Sequence, residues 1–87
     1  MRSGATWQLQ PDAEREILLP WLDSEPDPVV RLAVLDFIED LLRHPYRPHF
    51  EDEATGIFTV GSVPGTTTTM SWVLDAEQRQ ITLVAIL

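Results

Sequence analysis

Apolar and polar positions along the chain fall into periodic blocks separated by proline-rich or charged breaks. Residues 5–10 alternate, with Ala5, Trp7 and Leu9 on one side, which predicts a short strand. Pro11 opens a helix, because the N–H of a first helical residue has no partner anyway. Asp12, Glu14 and Glu16 sit at the positive end of that helix dipole, and Ala13, Ile17, Leu18 and Trp21 recur at helical spacing. Pro20 lacks the N–H that would reach the Glu16 carbonyl, so the helix is expected to kink or stop there. Residues 23–26 form a polar connection.

Asp27 is a natural N-cap and Pro28 a natural first residue for a second helix. Val30, Ala33, Val34, Phe37, Ile38 and Leu41 make one apolar stripe, which Leu32, Leu35 and Leu42 widen. Arg43 and His44 suit the negative end of this helix, and Pro45 forbids continuation. Residues 44–56 carry two prolines, a glycine and a charge cluster, and predict a surface loop.

Beyond it, Ile57, Phe58 and Val60 begin a strand running to about Val63. Val63-Pro64-Gly65-Thr66 predicts a type II turn, with Pro second and Gly third. That turn matches strand twist poorly, so a loop longer than two residues is expected. Thr66 to Leu74 is β-branched and aromatic, residues 75–79 reverse the chain, and Ile81 to Leu87 is apolar on both faces. A strand apolar on both faces belongs in the middle of a sheet. The predicted fold is α+β in the order β-α-α-β-β-β, as one domain over residues 1–87. A two-helix hairpin packs on one face of a small sheet that ends in an antiparallel meander.

Composition changes the picture at one point. The 87 residues hold seven Asp, seven Glu, six Arg and no Lys, for a net charge of −8. Affinity for nucleic acid and anionic lipid rests largely on Lys and Arg, so direct nucleic-acid binding and membrane docking are not expected. The 44% hydrophobic content exceeds that of a disordered acidic tail. With no Cys there is neither disulfide nor thiolate metal site. No apolar run spans a membrane and Met1 to Ala5 lacks the core of a signal peptide, so a cytoplasmic location is expected. The acidity is uneven. Residues 1–53 hold twelve acids and five Arg, whereas residues 54–87 hold two acids and one Arg, with no charge at all from 54 to 74.

Candidate chemistry is sparse. Arg43, His44, Tyr46, Arg47, His49 and Phe50 combine cations with aromatic rings, which can stack on bases and pair with phosphate. The same residues also suit a helix end followed by a proline-rich loop, and Glu51, Asp52 and Glu53 cancel much of their charge. His44, His49, Glu51 and Asp52 have no metal-ligand spacing, so neither metal nor cofactor is expected. Ser62 and Ser71 lack a nucleophile elbow, since Gly61-Ser62-Val63-Pro64-Gly65 has its glycines at the wrong spacing. Glu39/Asp40 and Asp52/Glu53 fit solubilising charge. The uncharged stretch offers instead a protein-binding face, for which Thr66, Thr68, Met70 and Trp72 are the candidate contacts.

Three segments resemble the RelE/ParE superfamily, the toxins of bacterial type II toxin–antitoxin modules. Trp-Gln-Leu-Gln-Pro-Asp-Ala-Glu-Arg-Glu-Ile (7–17) looks like the family's strand running into a helix. Leu41-Leu42-Arg43-His44-Pro45 resembles its helix exit. Residues 70–86, with Trp72, Asp75, Arg79 and a final apolar strand, are similar to its strand–turn–strand. The resemblance implies a toxin or toxin-like domain neutralised by a cognate antitoxin-like protein. Nucleases of that family carry cations on the sheet, where this chain has Thr59, Gly61, Ser62 and Thr66 to Thr69. In-line RNA cleavage needs groups that stabilise phosphate charge and move protons, so no catalytic residue is carried over. Protein recognition is therefore the leading expectation. A ribosome-dependent endoribonuclease using the Arg43–His49 loop, and a non-catalytic self-associating domain forming a homodimer, are the alternatives.

Overall fold

The computed structural model describes residues 7–45 and 58–87. It is α+β, with two helical segments and a four-stranded mixed sheet. The strands are β1 (Gln8–Leu9), β2 (Phe58–Ser62), β3 (Thr69–Asp75) and β4 (Gln80–Ile86). Their spatial order is β1-β4-β3-β2. β1 runs parallel to β4, while β4, β3 and β2 form an antiparallel meander. The last strand thus lies inside the sheet, between β1 and β3.

The first helix runs without a break from residue 11 to 24. α1 (Pro11–Ala13) leads into a π-helical turn (Glu14–Leu18), which continues as α2 (Leu19–Ser24). The Gln10 side chain caps its start, accepting from the Ala13 N–H at 2.8 Å. Of the kink or stop expected at Pro20, the stop does not occur. In an α-helix the proline ring would collide with the Glu16 carbonyl. Here Leu19 donates its N–H to the Glu14 carbonyl, five residues back, and the wider turn accommodates the ring. The same widening brings Ala13 and Leu18, five apart, onto one buried face.

α3 (Pro28–Arg43) begins where its sequence signals lie. The Asp27 carboxylate accepts the Val29 N–H at 2.9 Å, satisfying one of the orphan donors of the first turn. Arg31 reaches back to donate to the Glu25 carbonyl at 2.9 Å, tying the interhelical connection to the helix it precedes. Val34, Phe37, Ile38 and Leu41 are buried against the sheet. Leu32 and Leu35 do not widen that stripe. They are 60% and 40% exposed, because at 100° per residue they fall on the side of the helix opposite Phe37 and Leu41.

The core forms where α3 and the π turn meet one face of the sheet. Trp7, Met70, Trp72, Ile81, Leu83 and Ile86 fill it from the sheet side. Trp72 is fully buried, with its ring edge-on to Phe37 at 5.8 Å between centroids. β4 reaches this face by an irregular route. Trp72 pairs with Leu83 and Ser71 with Ala85, leaving Val84 as the extra residue of a bulge. The bulge lets Ile81, Leu83 and Ile86 all point inward, although a regular strand would send Ile86 outward.

Two reversals complete the meander. Thr66 donates its N–H to the Val63 carbonyl at 3.2 Å, and Gly65 has φ +80°, the geometry expected of a type II turn. Val63 and Thr68 close the loop, with four residues between them, through a 3.0 Å bond from the Val63 N–H to the Thr68 carbonyl. In the second reversal the Asp75 carboxylate accepts the Gln78 N–H at 3.1 Å, and Arg79 takes φ +55°.

Candidate functional site

Alternation along β3 decides which residues turn away from the helices, and of these Ser71 is itself buried. Met70 and Trp72 enter the core, so Thr69, Ser71 and Val73 point the other way. The register sets Ser71 beside Val60 on β2 and Ala85 on β4, and sets Val73 beside Thr82. Val60 is 57% exposed and Val84, on the bulge, 43%. The helix-free face between these residues is built of Val, Thr, Ser and Ala, all uncharged. It can offer apolar contact and a few hydroxyl hydrogen bonds, and among the described residues it brings together neither acid–base partners nor a nucleophile with a base.

This placement corrects the expected contact set. Met70 and Trp72 are core residues and cannot meet a partner. Strand β3 begins at Thr69, so the threonine run does not set its phase. Thr68 is buried at the strand entrance. Thr66 holds the turn together: its hydroxyl donates to the Val63 carbonyl at 2.9 Å and accepts from the Thr68 N–H at 3.0 Å. Trp72 itself was the signal that could have found the outward residues. A tryptophan is the largest apolar body in the segment, and its burial fixes the direction of every other residue in the strand.

Of the cation and aromatic cluster, Arg43 and His44 lie within the described residues. Tyr46, Arg47, His49 and Phe50 lie outside them, as do Glu51, Asp52 and Glu53. Arg43 is exposed in the last turn of α3 and meets Glu39, one turn earlier, at 3.4 Å. The exposed His44 follows, its N–H donating to the Asp40 carbonyl at 2.9 Å. Both positions match the negative end of the helix. A groove of about 290 Å³ lies between α3 and the β2–β3 turn, lined by Ala33, Asp36, Phe37, Asp40 and Pro64. A second, of about 300 Å³, lies between β1 and the two helices, against Trp7, Leu9, Glu14 and Leu42. Among the described residues, no three His, Asp or Glu side chains gather as a metal site. No helix there is long and apolar enough to cross a membrane. Comparisons with protein-family models, with curated proteins and with solved structures find no match to this chain.

Proposed function

We propose that this chain is the toxin, or a toxin-like component, of a bacterial type II toxin–antitoxin module, acting in the cytoplasm through protein–protein recognition and neutralised by a cognate antitoxin-like protein. The observation that carries this reading is an uncharged sheet face, free of helix among the described residues, on which Val60 and Val84 are exposed and Thr69, Val73, Thr82 and Ala85 half-buried. A face poor in charge and rich in β-branched side chains costs little to desolvate, which favours contact with another protein surface. Two helices on the opposite side, a final strand in the middle of the sheet and the three RelE/ParE-like segments support the family side of the proposal.

The test is expression of the chain alone and together with the product of the adjacent open reading frame. Growth inhibition relieved by the neighbour, with a complex that co-purifies, is the expected result. Thr82→Arg and Val84→Lys, both on the helix-free face, should weaken that complex while leaving the far-ultraviolet circular dichroism unchanged. No growth effect together with no complex would sink the proposal.

A further inference from the structure

We propose that β2 is a self-pairing edge: a second copy of this chain adds its own β2, antiparallel, across a two-fold axis, and joins two four-stranded sheets into one. β2 lies at the outside of the sheet, with β3 as its neighbour among the described strands.

The ladder shows which peptide groups look outward. Val63 and Thr68 are a hydrogen-bonded pair, with the Val63 N–H donating at 3.0 Å. Bonded and non-bonded pairs alternate along antiparallel strands. With Gly61 opposite Met70 and Thr59 opposite Trp72, the peptide groups of Gly61 and Thr59 are spent on β3. Those of Phe58, Val60 and Ser62 point to the free edge. Their spacing is symmetric about Val60. A two-fold axis there sets Val60 opposite its own copy and Phe58 opposite Ser62, so every outward N–H meets an outward carbonyl. Such an interface is isologous and closes at two copies.

Within β2 itself the usual guards are absent. Edge strands are commonly protected by shortness, charge, proline or a bulge. β1, at the opposite edge, is two residues long and is followed closely by Pro11. β2 runs five residues, Phe-Thr-Val-Gly-Ser, with no charge, no proline and an unbroken register to β3. Charge then selects this side of the molecule for a second copy. Two acidic helical halves repel each other, whereas residues 54–87 carry two acids and one Arg. Copies meeting along β2 bring nearly neutral surfaces together.

The pairing is independent of the antitoxin-like partner and is tested on the chain alone by sedimentation velocity, up to about 1 mM, the weak end of the affinity scale. A short edge predicts a weak, concentration-dependent dimer. Val60→Pro removes an outward N–H that β3 does not use, and should raise the dimer dissociation constant at least about tenfold. Val84→Lys, on the same face but away from the edge, should leave it unchanged. The chain has no Cys, so Val60→Cys gives a single thiol. A bonded antiparallel pair sets Cα atoms about 5.5 Å apart, within disulfide reach, so mild oxidation should link this variant into a covalent dimer and leave Val84→Cys monomeric. A wild-type chain that stays monomeric throughout overturns the proposal. So does a dimer dissociated by Val84→Lys but not by Val60→Pro. If Val60→Pro fails to fold, cross-linking decides: equal yields from Val60→Cys and Val84→Cys overturn it.

Discussion

Replacing Trp72 by Ala tests the direction of β3, on which the assignment of the outer face depends. Trp72 is fully buried and edge-on to Phe37. A buried Trp hides about 150–250 Å², which at about 25 cal/mol per Å² amounts to roughly 4–6 kcal/mol as an upper value. Measured truncations of buried Phe and Trp run about 3–5 kcal/mol. We therefore expect a loss of about 4 kcal/mol. A chain of this size has a total stability of about 4–13 kcal/mol, so the variant is either unfolded or left with a small reserve. In urea, with a slope of roughly 1–1.5 kcal/mol per M, the midpoint should fall by about 3 M. Val73→Ala is the internal control. It lies one residue further along the same strand, half-buried on the opposite face, and should cost no more than about 1 kcal/mol. Urea titrations followed by circular dichroism measure both. If Val73→Ala costs as much as Trp72→Ala, the strand phase is reversed and the outer face is misassigned.

Three further outcomes follow from local geometry. Asp27→Ala removes the acceptor of the Val29 N–H and should cost about 1 kcal/mol in the same titration. Gly65 and Arg79 both have positive φ, so Arg79→Gly should stabilise by about 0.5–1 kcal/mol, while Gly65→Ala, with open space around the added Cβ, should cost about 1 kcal/mol from backbone strain alone. Deleting Val84 removes the bulge residue and leaves Ile81, Leu83 and Ile86 facing the core in regular alternation, so that variant should stay folded. Deleting Val73 throws one side of the ladder out of register and should abolish the cooperative transition.

The helices were legible where a chemical device marks them. Asp27 with Pro28 starts α3 and Pro45 follows its end, because caps and prolines act through the peptide groups nearest in sequence. The π turn was not legible. Its cause, a proline ring against a carbonyl four residues back, can be resolved by stopping, kinking or widening, and the choice is made by the burial of Ala13 and Leu18 together. Leu32 and Leu35 are ambiguous in the sequence for a related reason: a leucine fits an apolar pattern from either side of a helix, and only its angle to the buried set separates the two. Arg43 and His44 were placed at a helix end by the dipole argument, and they occupy one. Thr66, Thr68, Met70 and Trp72 share one side of a strand by alternation, but alternation leaves open which side faces the helices, and the burial of Trp72 turns that side inward.

The bulge at Val84 links these ambiguities to function. Ile81 to Leu87 reads as apolar on both faces, and a strand with two apolar faces is ordinarily covered on both. The structure separates the two sets by one extra residue: Ile81, Leu83 and Ile86 serve the core, and Thr82, Val84 and Ala85 remain on the helix-free side. No charged side chain from β2 or the middle of β3 joins them there. An acidic chain with a net charge of −8 could solubilise such a face with a single Glu or Lys at an exposed site such as Val60 or Val84, at almost no cost to folding. Exposed apolar side chains that a surface mutation could replace freely, next to an edge strand equally free of charge, fit a surface kept for contact rather than for solvent. That combination is what favours the proposed recognition role.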